Sequence, residues 1–134
     1  MAWVVDTCLV IDVLDDDPSF GSSSAALLDA HADAGLVLSP VSYAELAPAF
    51  LGDVRRQNEF LDKIGIDYHR AWEWVDTVAA HKAWHAHVVR RRSGSRPRRP
   101  LADVLIGAFA MRFEGLLTRN QEDFRAMFPS LRTG

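Results

Sequence analysis

Apolar residues fall along this chain in brief bursts separated by longer stretches of helical period. "WVV" (3–5), "LVLS" (36–39) and "LLT" (116–118) are apolar runs without alternation, and residues 66–69 form a weaker one. Unalternating runs are the mark of strands buried on both faces, as in a parallel sheet covered by helices. A helix is predicted from about Thr7, carrying Leu9, Val10, Val13 and Leu14 until "DDDPS" breaks it. Pro18 suits the start of the next, which continues through residues 25–34 and stops at Gly35. Pro40 opens "VSYAELAPAFL", interrupted by Pro48 and closed by Gly52, and residues 53–65 read as a further helix. The longest is expected from Ala71 to about Arg91. There Trp74, Val78, His81, His85 and Val88 keep the 3.6-residue period, with Trp74 in the core. Pro100 starts a helix with Leu101, Val104, Leu105, Ala108 and Phe109 on one stripe, ended by Gly115, and residues 121–127 form a last one. Short strands alternating with helices predict an α/β domain. The 134 residues fit a single domain, 1–134.

Composition adds little to this picture and charge adds more. The chain is 49% hydrophobic and 25% charged, ordinary for a globular protein. No apolar run reaches a membrane span's length, no signal peptide is apparent, and the one cysteine, Cys8, permits no intrachain disulfide. A cytoplasmic protein without membrane contact is the expectation. The net charge of −3 does not suggest nucleic acid, yet "RRRSGSRPRR" (90–99) holds six arginines in ten residues. A basic block on an otherwise acidic chain suits phosphate, or is a solvated surface loop.

The acids stand where an α/β sheet collects function, at the carboxyl ends of strands. Asp6 ends the first strand. Thr118, Arg119 and Asn120 end the "LLT" strand, with Glu122 and Asp123 close behind. Asp103 lies in the first turn of the helix after the arginine stretch, and Glu45 is expected in the first turn of the helix after "LVLS". If these ends converge, several carboxylates share one pocket. They would repel one another unless a cation neutralised them. Oxygen donors suit a hard divalent ion, Mg²⁺ or Mn²⁺. Each acid also has a plain structural reading. Asp6 serves equally as a helix N-cap, Asp103 as a first-turn charge, and "SYAE" (42–45) matches a capping box. Asn120, Glu122 and Asp123 suit a turn and helix start.

The ordered set "VVDTCLVID", "SYAEL", "PLADVLIGAFA" and "LLTRNQEDF" resembles the PIN-domain ribonucleases of the VapC toxin type, and with the linking helices covers essentially the whole chain. The resemblance implies a PIN-like three-layer α/β/α fold with a short-stranded central parallel sheet. It also implies an Mg²⁺- or Mn²⁺-dependent endoribonuclease, a VapB-type antitoxin as partner, and a homodimer. Asp6, Glu45 and Asp103 match the family's first three acids, and Thr7 the small hydroxyl after the first. The fourth position departs: many relatives carry Asp where this chain has Asn120. Others carry Asn there and an acid three residues on, which Asp123 supplies. The resemblance thus implies Asp6, Glu45, Asp103, Asn120 and Asp123 as catalytic positions, with Asp6, Asp103 and Asp123 toward metal. Thr7, Thr118, Arg119, Arg96, Arg98 and Arg99 are expected to face RNA. The implied reaction is phosphodiester hydrolysis by a water that Glu45 or Asp123 orients and deprotonates. The preference for RNA comes from the resemblance alone, since such chemistry does not use the 2′-hydroxyl.

Other readings stay open at this point. One is a non-catalytic PIN-like module that binds RNA or protein, and another is a DNA nuclease on the same residues. A haloacid-dehalogenase-type phosphatase is disfavoured, because Cys8 stands where its second acid would be. His81 and His85 have zinc-compatible spacing, but without the H-E-x-x-H glutamate they read as packing or surface residues. Trp72 and Trp84 are interface candidates. Cys8, among apolar neighbours, reads as a buried, inert thiol.

Overall fold

A computed structural model of the chain describes residues 1–93 and 101–134. The order is β1 (Trp3–Val5), α1 (Thr7–Leu14), α2 (Gly21–His31), β2 (Leu36–Val37), α3 (Pro40–Glu45), a 3-10 turn (Ala47–Phe50), α4 (Val54–Lys63), β3 (Ile66–Asp67), α5 (Trp74–Ser93), α6 (Leu101–Ala110), β4 (Gly115–Leu117) and α7 (Gln121–Met127). The strands form one sheet in the order β3-β2-β1-β4, all parallel. β1 is therefore central. The chain moves from it to β2 on one side and returns to β4 on the other.

Alternation along the strands builds two cores. Val4, Val37 and Leu116 face α5, α6 and α7 through Ala80, Ala83, Ile106, Phe109 and Phe124. Val5, Leu36, Leu38, Ile66 and Leu117 face the other way, onto Leu9, Val10, Leu28 and Leu61 of α1, α2 and α4. Helices thus cover both faces, which is why the strand residues are apolar without exception at the centre. This is the expected PIN-like three-layer α/β/α arrangement. Burying a leucine- or valine-sized side chain stabilises by about 1.5–3 kcal/mol, so the sheet's few residues carry a large share of the core.

Several element boundaries differ from expectation. Pro18 lies in a turn rather than a helix: the Asp17 carboxylate accepts from the amides of Ser19 and Phe20, both at 2.8 Å, and α2 begins at Gly21. The long helix starts at Trp74, not Ala71. The buried Asp76 carboxylate accepts from the Glu73 amide at 3.0 Å, while the Ala71 carbonyl accepts from Arg112 Nη2 at 3.1 Å. Its buried stripe is Asp76, Ala80, Ala83 and His87, and Trp74 is exposed on 77% of its surface. The expected stripe is one face off because the charged Asp76, paired with Arg112, points inward where the apolar count would have put a tryptophan. Gly115 does not close a helix; it opens β4. A Cβ there would lie 2.3 Å from the Arg132 carbonyl oxygen and 2.7 Å from the Trp3 ring, so only glycine admits these neighbours.

Candidate active site

The sheet order puts its topological switch between β1 and β4, and in such sheets ligands bind at the carboxyl ends beside that point. Asp6 follows β1 there and Thr118 follows β4. The two strands are in register, Val5 beside Leu117, and the Asp6 amide donates to the Leu117 carbonyl at 3.0 Å. The side chains meet next: Thr118 Oγ1 donates to Asp6 Oδ2 at 2.7 Å. Thr118 Oγ1 in turn accepts the Asn120 amide at 3.0 Å. Both Asp6 and Thr118 are buried.

Asp6 occupies the N-cap position of α1, but its side chain makes no capping bond. The cap reading therefore fails on direction: the carboxylate turns toward β4 instead of back over the helix. Burial raises its pKa above the ordinary 3.8, against the opposing hydrogen bonds from Thr118, Cys8 and the Thr7 backbone and the charge of Arg119. It is a desolvated acid whose nearest donors are mostly neutral. Cys8 Sγ donates to the same Oδ2 at 3.4 Å. Burial, followed by the negative Asp6, pushes the thiol up to about 11, so it stays protonated and unreactive near neutral pH.

Thr7, the next residue, reaches the opposite way. Its Oγ1 donates to Glu45 Oε1 at 2.8 Å, tying α1 to α3. Glu45 sits at the end of α3 and not in its first turn, and the capping box read from "SYAE" is not formed. The cap is Ser39, whose hydroxyl accepts the Ser42 amide at 3.0 Å. Ser42 therefore lies inside the helix, and its buried hydroxyl has no hydrogen-bond partner among the described residues. Adjacent residues at the start of α1 thus fix the two acid-bearing regions, Thr7 directly on Glu45 and its N-cap Asp6 on the β4 turn.

Asp103 is half-buried in the first turn of α6, which packs against α3. Glu45, Leu101 and Leu105 line one groove of about 890 Å³, so the ends of α3 and α6 share that opening with Trp72 and Trp84 of the expected interface. His81 is on its rim, and both it and His85 are exposed. Asn120 and Asp123 line a separate polar cavity of about 450 Å³, with Arg119 and Glu122. Arg96, Arg98 and Arg99 lie outside the described residues. Among the described residues no group of three or more His, Cys, Asp or Glu side chains stands close enough to hold one metal ion together. The donor chemistry nevertheless suits a hard cation. Asp6 is an oxygen donor short of neutralising charge, and Mg²⁺ is commonly held by one or two carboxylates, with water and substrate phosphate completing its shell.

One residue of this region was not singled out by sequence. Asp12, buried in α1, accepts from Arg119 Nε at 2.8 Å and Nη2 at 3.1 Å, and from Ser24 Oγ at 2.7 Å. An acid between Ile11 and Val13 was the available signal, the same one that marks Asp6.

No family model and no curated protein matches the chain. Solved structures do. A chain in the structure of VapBC-1 from nontypeable Haemophilus influenzae aligns with a TM-score of 0.70 at 18% identity, covering 100% of this chain and 97% of that one. A chain in the structure of VapBC2 from Rickettsia felis, bound to a DNA fragment from their promoter, aligns with a TM-score of 0.67 at 15% identity, covering 100% and 98%. At these identities the likeness establishes the fold, end to end.

Proposed function

We propose that this chain is a PIN-domain ribonuclease of the VapC type, the toxin of a toxin–antitoxin pair, cutting RNA by divalent-metal-dependent hydrolysis. The observation that carries this reading is Asp6: a buried carboxylate with a raised pKa, held by Thr118 at the switch point of the sheet. A stable fold gains nothing from desolvating an acid there, whereas a site for a cation does. The full-length likeness to chains of VapBC structures supports the same family.

Asp6 would hold Mg²⁺ or Mn²⁺ together with one further carboxylate, Asp103 or Asp123, since one or two carboxylates with water and phosphate suffice for such an ion. A bound divalent ion would supply positive charge at the scissile phosphate and acidify a water. Thr118 keeps Asp6 Oδ2 engaged, which holds the carboxylate toward β4. Glu45, anchored by Thr7 and exposed to the groove, is the base that takes the proton of an attacking water. Asn120 orients without adding charge. The partners are RNA, a VapB-type antitoxin and a second copy of the chain, and the place of action is the cytoplasm.

The test is cleavage of structured RNA by purified protein with Mg²⁺, with Mn²⁺ and with excess EDTA. Cleavage should need metal, and Asp6→Asn and Asp103→Asn should each lower it at least about 100-fold, the scale of losing a group that stabilises transition-state charge. Cleavage undiminished in both variants overturns the reading. RNA binding without cleavage in either metal makes the chain a binding module, and equal cleavage of competing DNA makes it a general nuclease. In the same assay Arg98→Ala with Arg99→Ala should weaken RNA binding and flatten its salt dependence. An unchanged slope removes those arginines from the RNA surface.

A further inference from the structure

We infer that Asp12 is a positioning residue of this site, acting through Arg119 to fix the turn 118–120 that holds Asp6 and presents Asn120. The inference rests on the nuclease reading above and adds a group outside the acid set.

Asp12 accepts hydrogen bonds on both of its oxygens. Arg119 Nε and Ser24 Oγ share Oδ2, and Arg119 Nη2 takes Oδ1. Paired donors on a planar carboxylate fix orientation as well as distance. The guanidinium also lies 4.1 Å from the centre of the Phe20 ring, so it is held on its face as well as its edge. Two of its nitrogens are committed to Asp12, which makes Arg119 a strut before it is a phosphate contact. Its neighbours in sequence do the work at the site: Thr118 holds Asp6, and the Asn120 amide holds Thr118.

α1 therefore grips one short turn at two points. Asp6 stands at its start and Asp12 six residues on, about 9 Å along the axis at the usual helical rise. The Asp6 amide on the Leu117 carbonyl and the Thr118 hydroxyl on Asp6 hold the start of the turn. The second grip, at Arg119, holds its middle, one residue before Asn120. Misplacement of a reacting group by about 1 Å costs on the order of 100-fold in rate, so the second grip matters to chemistry although Asp12 touches no substrate.

The experiment compares Asp12→Asn, Arg119→Gln and the double variant in metal-dependent RNA cleavage, with kcat and KM measured separately, and follows amide exchange at Asn120. Each single variant should lose about 10- to 100-fold in kcat with KM within about threefold of wild type. The double variant should be no worse than either, because both remove one device. Exchange of the Asn120 amide should quicken at least about tenfold while that of Leu61, in α4, stays put. Wild-type kcat in Asp12→Asn overturns the inference. So does a raised KM and flattened salt slope in Arg119→Gln alone, which would make Arg119 a phosphate contact. Should removal of the buried charges prevent folding, Phe20→Leu strips only the ring from the half-exposed face. About threefold lower kcat at unchanged KM is expected there, and full kcat with unaltered Asn120 exchange refutes the grip. If wild-type protein cleaves nothing in either metal, the nuclease reading has failed, and unaltered exchange in Asp12→Asn separately overturns the grip itself.

Discussion

At the scale of single residues, Asp6 has a cost that can be measured apart from any activity. Its folded pKa lies above the ordinary 3.8 because burial disfavours the ionised form. Below pH 3.8 both folded and unfolded chains carry it protonated and no penalty arises. As pH rises through the folded pKa the fold must ionise a buried acid, and stability is lost up to a plateau. Asp6→Asn keeps a carbonyl to accept from Thr118 and removes the charge. Its thermal midpoint at pH 7 should exceed wild type, by about 4 °C for each kcal/mol of penalty relieved in a domain of this size. The difference should vanish near pH 3. A variant less stable than wild type at pH 7 would show that the carboxylate is favourable where it stands. Asp6 was legible in sequence because an acid straight after "WVV" has no surface to reach. Asp12 carries a similar signal, but an acid one turn into a helix reads as its solvent face. Only Arg119, 107 positions away, shows that it points inward.

At the scale of elements, the strands were legible because burial on both faces forces an unbroken apolar run. Helix starts were less so, since they depend on partners distant in sequence. α5 begins where Asp76 turns back to the Glu73 amide, and Asp76 is held by Arg112, 36 residues away. No local pattern contains that pairing, and the stripe drawn through Trp74 missed it. Glu45 was assigned to the right neighbourhood and the wrong turn for a similar reason. Ser39 outcompetes Ser42 as the cap because Pro40, with φ preset and no amide hydrogen to satisfy, suits the first helical position. Gly115 gives this scale its prediction. Gly115→Ala pushes a methyl into backbone oxygen and an indole, and relief requires β4 to shift from the Arg132 carbonyl and the Trp3 ring. A loss of about 1–3 kcal/mol is expected in urea unfolding, as for other overpacked sites. With it the Asp6–Thr118 contact loosens, so metal-dependent cleavage should fall as well. An unchanged denaturation midpoint would mean that the strand edge yields without strain.

At the scale of the whole molecule, the groove between α3, α5 and α6 leaves Trp72, Trp84, Leu101 and Leu105 beside water. Apolar surface of that kind suits a contact with another chain, and the proposed second copy is the occupant to test first. Light scattering should give twice the 14.9 kDa of one chain. Leu101→Glu, at a position 49% exposed and so harmless to the core, should return the mass to one chain with its circular dichroism unaltered. A wild-type mass of one chain would remove the second copy from the proposal and leave the groove to the antitoxin. No helix among the described residues is long and apolar enough to cross a membrane.

The bond between Asp6 and Thr118 spans 112 positions and joins the sheet's first strand to its fourth. Ribosomes deliver the chain from the N-terminus at about 5–20 residues per second, so Asp6 waits for its partner for many seconds while β2, β3 and six helices take shape. Contacts so remote in sequence close late, after the loop entropy between them has been met. The acid that defines the proposed toxin is therefore without its anchor until β4 has been made, and a chain halted before β4 never acquires it. An activity harmful to the cell that makes it would, by this topology, be withheld until β4 has joined the sheet.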